Sequence, residues 1–259
     1  MIEFIQLVKK FGTKTVLNGI SFRVETGEIV FILGTSGTGK SVLLKNLVGL
    51  LRSDSGEIWV NDENIAQFSE DQFLRIRRQV GLVFQQPALF DSLTVFENVA
   101  FGLRRHFQLG LPLADRWSDE RIQQQVERCL GLVHVAVRDF AKLPAQISYG
   151  TQKRVSLART LALEPKTLLF DEPTTGLDPV TTQAVNKLIQ ELSRKLQTTA
   201  LVVSHDMECA LAIADRIVVL DQGLVVAIGT PAEMRRSSVR LVQEFLSEAQ
   251  AQEVQGGLR

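Results

Sequence analysis

The run Gly34-Thr35-Ser36-Gly37-Thr38-Gly39-Lys40-Ser41 has the pattern G-x-x-x-x-G-K-[ST], a spacing suited to holding phosphate. Glycines let the backbone turn tightly and bring successive N–H groups against phosphate oxygens. A following helix adds the positive end of its dipole. Lys40 would reach the outer phosphates as a point charge, and Ser41 would offer its hydroxyl to Mg²⁺. Further on, Thr167-Leu168-Leu169-Phe170-Asp171-Glu172 is an apolar run closed by two acids. A parallel sheet gathers ligands beyond the carboxyl ends of its strands, which would bring both acids to the phosphate loop. Asp171 could hold Mg²⁺ through water, and Glu172 could orient or deprotonate an attacking water; a strand-end cap or an ion pair is the alternative. His205, in Val203-Ser204-His205-Asp206, leaves a third such strand at the same edge. There it either touches a terminal phosphate or serves as a structural or surface histidine. Ser148 is a good N-cap for the helix Lys153 to Leu163, and Gly150 exposes backbone N–H in its first turn. That helix end could bind a second anion or be an ordinary capped terminus.

These groups need an alternating scaffold, and the chain has one. Glu28 to Leu33 is almost wholly apolar and of strand length, and after Gly39 the pattern turns helical through Val42, Leu43, Leu47 and Leu50. Loosely alternating strands are predicted at Glu3 to Lys9 and Val16 to Val24. Further strands are predicted at Gly56 to Val60 and Gly81 to Phe84, with a charged helix at Glu70 to Gln79 between them. From Pro87 to Leu163 the pattern is helical: Val95, Val99 and Leu103 share one face, and Ile122, Val126 and Cys129/Leu130 share another after an N-cap at Ser118. Strand Thr167 to Phe170 precedes a helix with Ala184, Val185, Leu188, Ile189 and Leu192 on its apolar face. Strand Ala200 to Val203 precedes a helix near Met207 to Ala214, and apolar strands follow at Ile217 to Leu220 and Leu224 to Ile228. Such alternation predicts a parallel α/β core interrupted by a helical insert.

Composition narrows the classes. Lys plus Arg and Asp plus Glu both number 29, which argues against the basic stripe of a nucleic-acid binder. Cys129 and Cys209 are far apart, as suits buried thiols rather than a metal site. The first residues, MIEFIQLVKKFG, show no apolar h-region and predict no secretory signal. The longest apolar runs, such as Ile217 to Leu220, fall far short of the ~18–20 residues a membrane span requires. A membrane role would therefore come through a partner.

In order, GTSGTGKS, VFQ ending at Gln85, ISYGT from Ile147, LLFDE, GLDP with Asp178 and VSHD with His205 resemble the motif series of the ABC (ATP-binding cassette) ATPases over residues 1–230. The resemblance implies an α/β fold: a RecA-like, mostly parallel sheet core with an N-terminal antiparallel β part and an inserted helical subdomain. One nucleotide-binding domain would span 1–230 (core 1–86 and 165–230, insert about 87–164), followed by a helical tail at 231–259. It implies ATP and Mg²⁺ as cofactors and hydrolysis of ATP to ADP and phosphate. By resemblance, Gly34, Thr35, Ser36, Gly37, Thr38, Gly39, Lys40 and Ser41 hold the phosphates. Phe11 stands where the family usually has a tyrosine and would stack on adenine, or serve only the core; Val16 would pack near the ribose. Ser41, Gln85 and Asp171 would serve Mg²⁺, and Glu172, His205 and Gln85 would act in catalysis. Gln85 would also relay the γ-phosphate to the insert. In a homodimer, Ser148 and Gly150 would cap the γ-phosphate held by the other cassette, with Asp178 at the seam. Tyr149 and Thr151 replace a glycine and the glutamine of the family's LSGGQ. Tyrosine tolerates positive φ poorly, so a glycine-only conformation is not expected at Tyr149.

A cassette without a membrane span is similar to the ATPases that drive a separate integral membrane permease from the cytoplasmic face of the inner membrane. Leu89 and Phe90, early in the insert, would suit a groove for the permease or pack within the insert. Val80 to His106, GTSGTGKSVLLKNLVGLL and the tail's VQEFL look most like ATPases of Mla/MCE-type phospholipid transporters. That would imply lipid cargo, an MCE-domain protein and a small regulatory subunit as partners. The alternative is the ATPase of a polar-solute, amino-acid-type importer. A non-transport ABC ATPase usually shows two cassettes, a coiled coil or zinc cysteines, and nucleic acid is not an expected partner. The tail either reaches across the dimer or frays.

Overall fold

β3 (Ile29–Leu33) is buried at every position, as an apolar run too short for a helix must be when both faces are covered. The computed structural model describes residues 1–106 and 117–256. Positions 107–116, within the predicted insert, and 257–259, the last of the predicted helical tail, lie outside the described residues. β3 pairs in parallel with β8 (Thr199–Ser204) and β9 (Arg216–Asp221). β7 (Thr167–Asp171) and β6 (Val80–Val83) extend the parallel set, and β10 (Leu224–Gly229) joins β9 antiparallel. The sheet order is β10-β9-β3-β8-β7-β6. The apolar strand predicted at Leu224 to Ile228 is β10, and Leu224, Val226 and Ile228 are exposed because this edge strand has only one face on the core.

A second, antiparallel sheet runs β2-β1-β4-β5, from β1 (Ile2–Phe11), β2 (Lys14–Val24), β4 (Ser55–Val60) and β5 (Glu63–Asn64). It packs with α1 (Lys40–Leu47) and α2 (Glu70–Gln79) on one face of the parallel sheet, through Phe4, Leu7, Leu43, Ile32 and Leu201. The other face carries α3 (Val95–His106), α4 (Asp119–Leu132), α5 (Tyr149–Leu161), α6 (Pro179–Leu196), α7 (Met207–Ile213) and α9 (Arg240–Gly256); α8 (Pro231–Met234) precedes α9. Between β6 and β7, helices α3, α4 and α5 pack on one another, with Val95, Val99, Leu103, Ile122, Val126, Cys129 and Leu130 all buried. Ser118 caps α4 by accepting from the Arg121 N–H at 3.2 Å, and acids occupy the first turn.

Two apolar assignments need correction. Leu50 is half exposed beyond the end of α1, because Gly49 takes φ 68° and breaks the helix where the Phe73 ring leaves no room for a Cβ. Ala184 lies on the exposed side of α6, one residue outside the buried Val185, Leu188, Ile189 and Leu192 stripe. Cys129 and Cys209 are unpaired and buried, and burial pushes the Cys129 thiol up to about 11, as fits apolar filling. No helix among the described residues is long and apolar enough to cross a membrane.

Phe31 sits at the centre of the parallel sheet with 1 % exposure. Phe31→Ala should cost about 3–5 kcal/mol and lower the urea midpoint with an unchanged slope. An unmoved midpoint would show that β3 does not hold the core together.

Candidate functional site

β3, β7 and β8 run parallel, so their carboxyl ends deliver the loop from Gly34, the Asp171-Glu172 pair and His205 to one edge. The loop turns into α1 through Gly39, whose φ is 98° and where a Cβ would lie 2.6 Å from the Leu17 side chain. No side chain caps α1, which leaves its first N–H groups for an outside acceptor. Lys40 is 7 % exposed, and its Nζ donates to the carbonyls of Gly34 (2.7 Å) and Thr35 (3.0 Å). Thr38 Oγ1 donates to the Thr35 carbonyl at 2.9 Å, bracing the loop. Burial lowers the Lys40 pKa, and the carboxylates of Glu172 and Asp171 work against that shift.

Ser41 Oγ donates to Asp171 Oδ1 at 2.7 Å. These are paired hard oxygens of the kind Mg²⁺ prefers. No group of three or more His, Cys, Asp and Glu residues able to hold a metal occurs among the described residues, so a cation here would need phosphate or water oxygens as well. Glu172 takes φ 50°, an uncommon conformation for a residue with a Cβ and one that tends to persist at functional sites. Its N–H donates to the Val203 carbonyl at 2.9 Å. Its Oε1 is 3.9 Å from Lys40 Nζ, while Oε2 meets His205 Nδ1 at 2.8 Å and accepts from Thr175 Oγ1 at 3.2 Å. An acceptor-rich carboxylate, a cation and an imidazole thus converge where a terminal phosphate could sit.

The cavity between them is about 630 Å³. Of the predicted residues, its wall includes Val16, positions 35–37 and 39–41, Gln85, Glu172 and His205. Gly34, Thr38 and Asp171 stand behind that wall, in bonds to Lys40, Thr35 and Ser41. Phe11 is outside it, half exposed at the end of β1 with the Lys9 ammonium 5.3 Å from its ring. Ser148, Gly150 and Asp178 line a separate groove of about 490 Å³. Ser148 Oγ accepts from the Thr151 N–H (3.3 Å) and lies 2.9 Å from Thr151 Oγ1, capping α5. Tyr149 begins α5 without a left-handed backbone. Asp178 caps α6 through the Thr181 N–H and Oγ1, bonds that lower its carboxyl pKa.

The cavity also has walls that the sequence did not announce. Thr175 stands three positions after Glu172, a spacing that could have flagged it. Phe245 and Glu248 come from α9; the tail, expected to reach across the dimer or fray, instead folds back on α7 of its own chain with Val242 and Phe245 in the core. Lys153 is buried inside α5, and nothing in the local pattern distinguishes it from a solvated lysine.

The ABC transporter family profile matches residues 17–175. The chain is 41 % identical over 252 residues to a sulfate/thiosulfate import ATP-binding protein CysA of Bradyrhizobium diazoefficiens, covering 96 % of this chain and 69 % of that protein. It is 43 % identical to a CysA of Vibrio vulnificus over the same shares. Among solved structures, the ATP-binding cassette MJ0796, in a dimeric post-hydrolysis state bound to ADP and Pi, superposes with TM-score 0.79 at 31 % identity, over 89 % of this chain and 99 % of that one. Likewise cbiO1 from Clostridium perfringens, part of an ABC transporter complex cbiONQ, gives 0.80 at 30 % identity over 95 % and 98 %. The expected kinship with phospholipid-transport ATPases is thereby corrected: the two sequence relatives are sulfate/thiosulfate import ATP-binding proteins. Lipid cargo and an MCE-domain partner gain no support, and the polar-solute alternative does.

Proposed function

The chain belongs to the ABC transporter family of ATP-binding cassettes, and from that premise we propose that it is the ATPase subunit of a polar-solute importer, with a sulfate-type oxyanion as cargo. It is an ATP-binding, ATP-hydrolysing protein by family. The reading of its cargo is carried by the similarity to sulfate/thiosulfate import subunits along 96 % of the chain.

Lys40 would exchange its bonds to the Gly34 and Thr35 carbonyls for phosphate oxygens, and the open end of α1 would receive the rest of the phosphate charge. Ser41 and Asp171, with Gln85 nearby, would hold Mg²⁺, which when bound neutralises charge developing on the phosphate oxygens. Glu172 would align a water with the γ-phosphorus and take its proton at a carboxylate oxygen, giving ADP and inorganic phosphate. His205 holds that carboxylate through Nδ1 and keeps its other ring nitrogen for the γ-phosphate. Val16 would flank the ribose, and the half-exposed Phe11 would stack on adenine.

Ser148, Gly150 and Asp178 line a groove of their own rather than the nucleotide cavity, an arrangement suited to a homodimer in which each α5 N-terminus faces the partner's γ-phosphate. The dimeric MJ0796 cassette supports that pairing. Phe90 is 42 % exposed, its ring tilted against that of Phe101 with centroids 4.4 Å apart. It would face an integral membrane permease that keeps the cassette on the cytoplasmic face of the inner membrane. Purification of the chain from native membranes should recover a permease and a solute-binding protein. Sulfate-loaded binding protein should then raise phosphate release. Recovery with an MCE-domain protein and bound phospholipid, without sulfate stimulation, would overturn the importer reading.

A further inference from the structure

Side chains from α5 grip the loop that joins β6 to α3. Tyr149 Oη donates to Gln86 Oε1 at 3.1 Å. Arg159 donates to the carbonyls of Ala88 (2.7 Å) and Pro87 (3.3 Å), with its guanidinium 6.0 Å from the Phe90 ring. Between them, the Lys153 ammonium donates to the Gln85 carbonyl at 2.5 Å and to the Pro173 carbonyl at 3.1 Å. Lys153 is only 5 % exposed. A buried cation is costly unless its donors are used, and an apolar residue of similar length would fill the same space without that cost. What the ammonium adds is a pair of directed bonds to segments far apart in sequence. One carries Gln85, and the other directly follows Glu172. The Tyr149 ring lies 5.5 Å from the same ammonium, so the N-terminal turn of α5 is part of the same cluster.

We propose that Lys153 is a positioning residue for ATP hydrolysis, tying the Gln85 loop and the turn after Glu172 to α5, the helix that Ser148 caps. The proposal rests on the ATPase reading of Gln85 and Glu172. Through Lys153, a displacement of Gln85 by nucleotide is passed to α5 and to Glu172 together. The loop at 87–90, held by Arg159, moves with the same helix.

The test uses the full chain with Mg·ATP and compares wild type, Lys153→Met and Lys153→Gln. Loss of a buried charge-assisted bond should lower kcat about tenfold in Lys153→Met and about threefold in Lys153→Gln, with KM for ATP within about twofold of wild type. Amide exchange should quicken at residues 85–90 and 172–176 while β3 and α1 keep their protection, a pattern that a general loss of stability does not produce. Wild-type kcat in Lys153→Met overturns the proposal, and so does protection lost evenly across the sheet. If Lys153→Met does not fold, Lys153→Gln decides: an unchanged kcat overturns the proposal. Phosphate release by the wild type is the separating control. Its absence would sink the ATPase reading itself, whereas wild-type turnover matched by Lys153→Met would sink only the role of Lys153.

Discussion

Glu172→Gln is expected to lower phosphate release by about 10³-fold while ATP binding persists, leaving paired cassettes loaded with intact nucleotide. Glutamine has nearly the shape of glutamate and can still accept from Thr175 Oγ1 and meet His205, the two contacts that fix the carboxylate. It cannot take a proton from water. The substitution also removes a negative charge 3.9 Å from Lys40, beside the place a γ-phosphate would occupy, so affinity for ATP should hold or rise. Affinity and rate therefore separate, which a folding defect would not produce. Single-turnover hydrolysis of γ-labelled ATP, with gel filtration of the nucleotide-loaded protein, reads both quantities. Turnover within about threefold of wild type would remove Glu172 from the role of base, because loss of a general base costs ~10²–10⁴.

The same geometry explains what could be read from the residues and what could not. A strand buried on both faces is an unbroken apolar run, so β3, β7 and β8 were visible, and parallel pairing sends their exits to one edge. The phosphate loop, the acid pair and His205 were therefore legible together. Helix starts were legible where a hydroxyl or carboxylate caps them, as at Ser118 and Ser148. Contacts between segments distant in sequence left no local trace. Lys153 reads as a solvated lysine until its two carbonyl acceptors are seen, and Phe245, within the tail's VQEFL, gives no sign of the cavity that α9 helps to line. Gly49, at φ 68°, ends α1 one turn before Leu50, and a glycine after a helical run is itself a local stop signal; only the Phe73 ring that excludes a Cβ there comes from another helix. Cargo was the least legible property. A subunit that grips ATP and pushes on a permease need not touch the transported molecule, so its residues need carry no imprint of it.

Lys40→Ala should abolish measurable turnover and weaken ATP binding by at least about 100-fold, because loss of a desolvated cation facing several phosphate charges exceeds what one hydrogen bond supplies. In the folded chain this ammonium is almost fully buried and is flanked by Glu172, with the Asp171 carboxylate close enough to raise its pKa. Removing it leaves both acids without their cation at the mouth of a cavity meant for a polyanion, so repulsion adds to the lost attraction. The fold should survive. The bonds given up are to the buried Gly34 carbonyl and to the Thr35 carbonyl at the exposed turn of the loop; the space vacated opens onto the cavity that Lys40 lines, so water can enter, and the packed sheet below is untouched. Lys40→Arg separates charge from shape. The guanidinium keeps the positive charge but is wider and planar, and a site that leaves Lys40 7 % exposed has little room for it, so turnover should fail here as well. Equilibrium binding of a fluorescent ATP analogue, with thermal unfolding as the check on folding, measures each effect. Wild-type affinity in Lys40→Ala would mean that the open end of α1 holds the triphosphate by itself, and the carboxylates of Asp171 and Glu172 would then need a different cation to justify their place at the same edge.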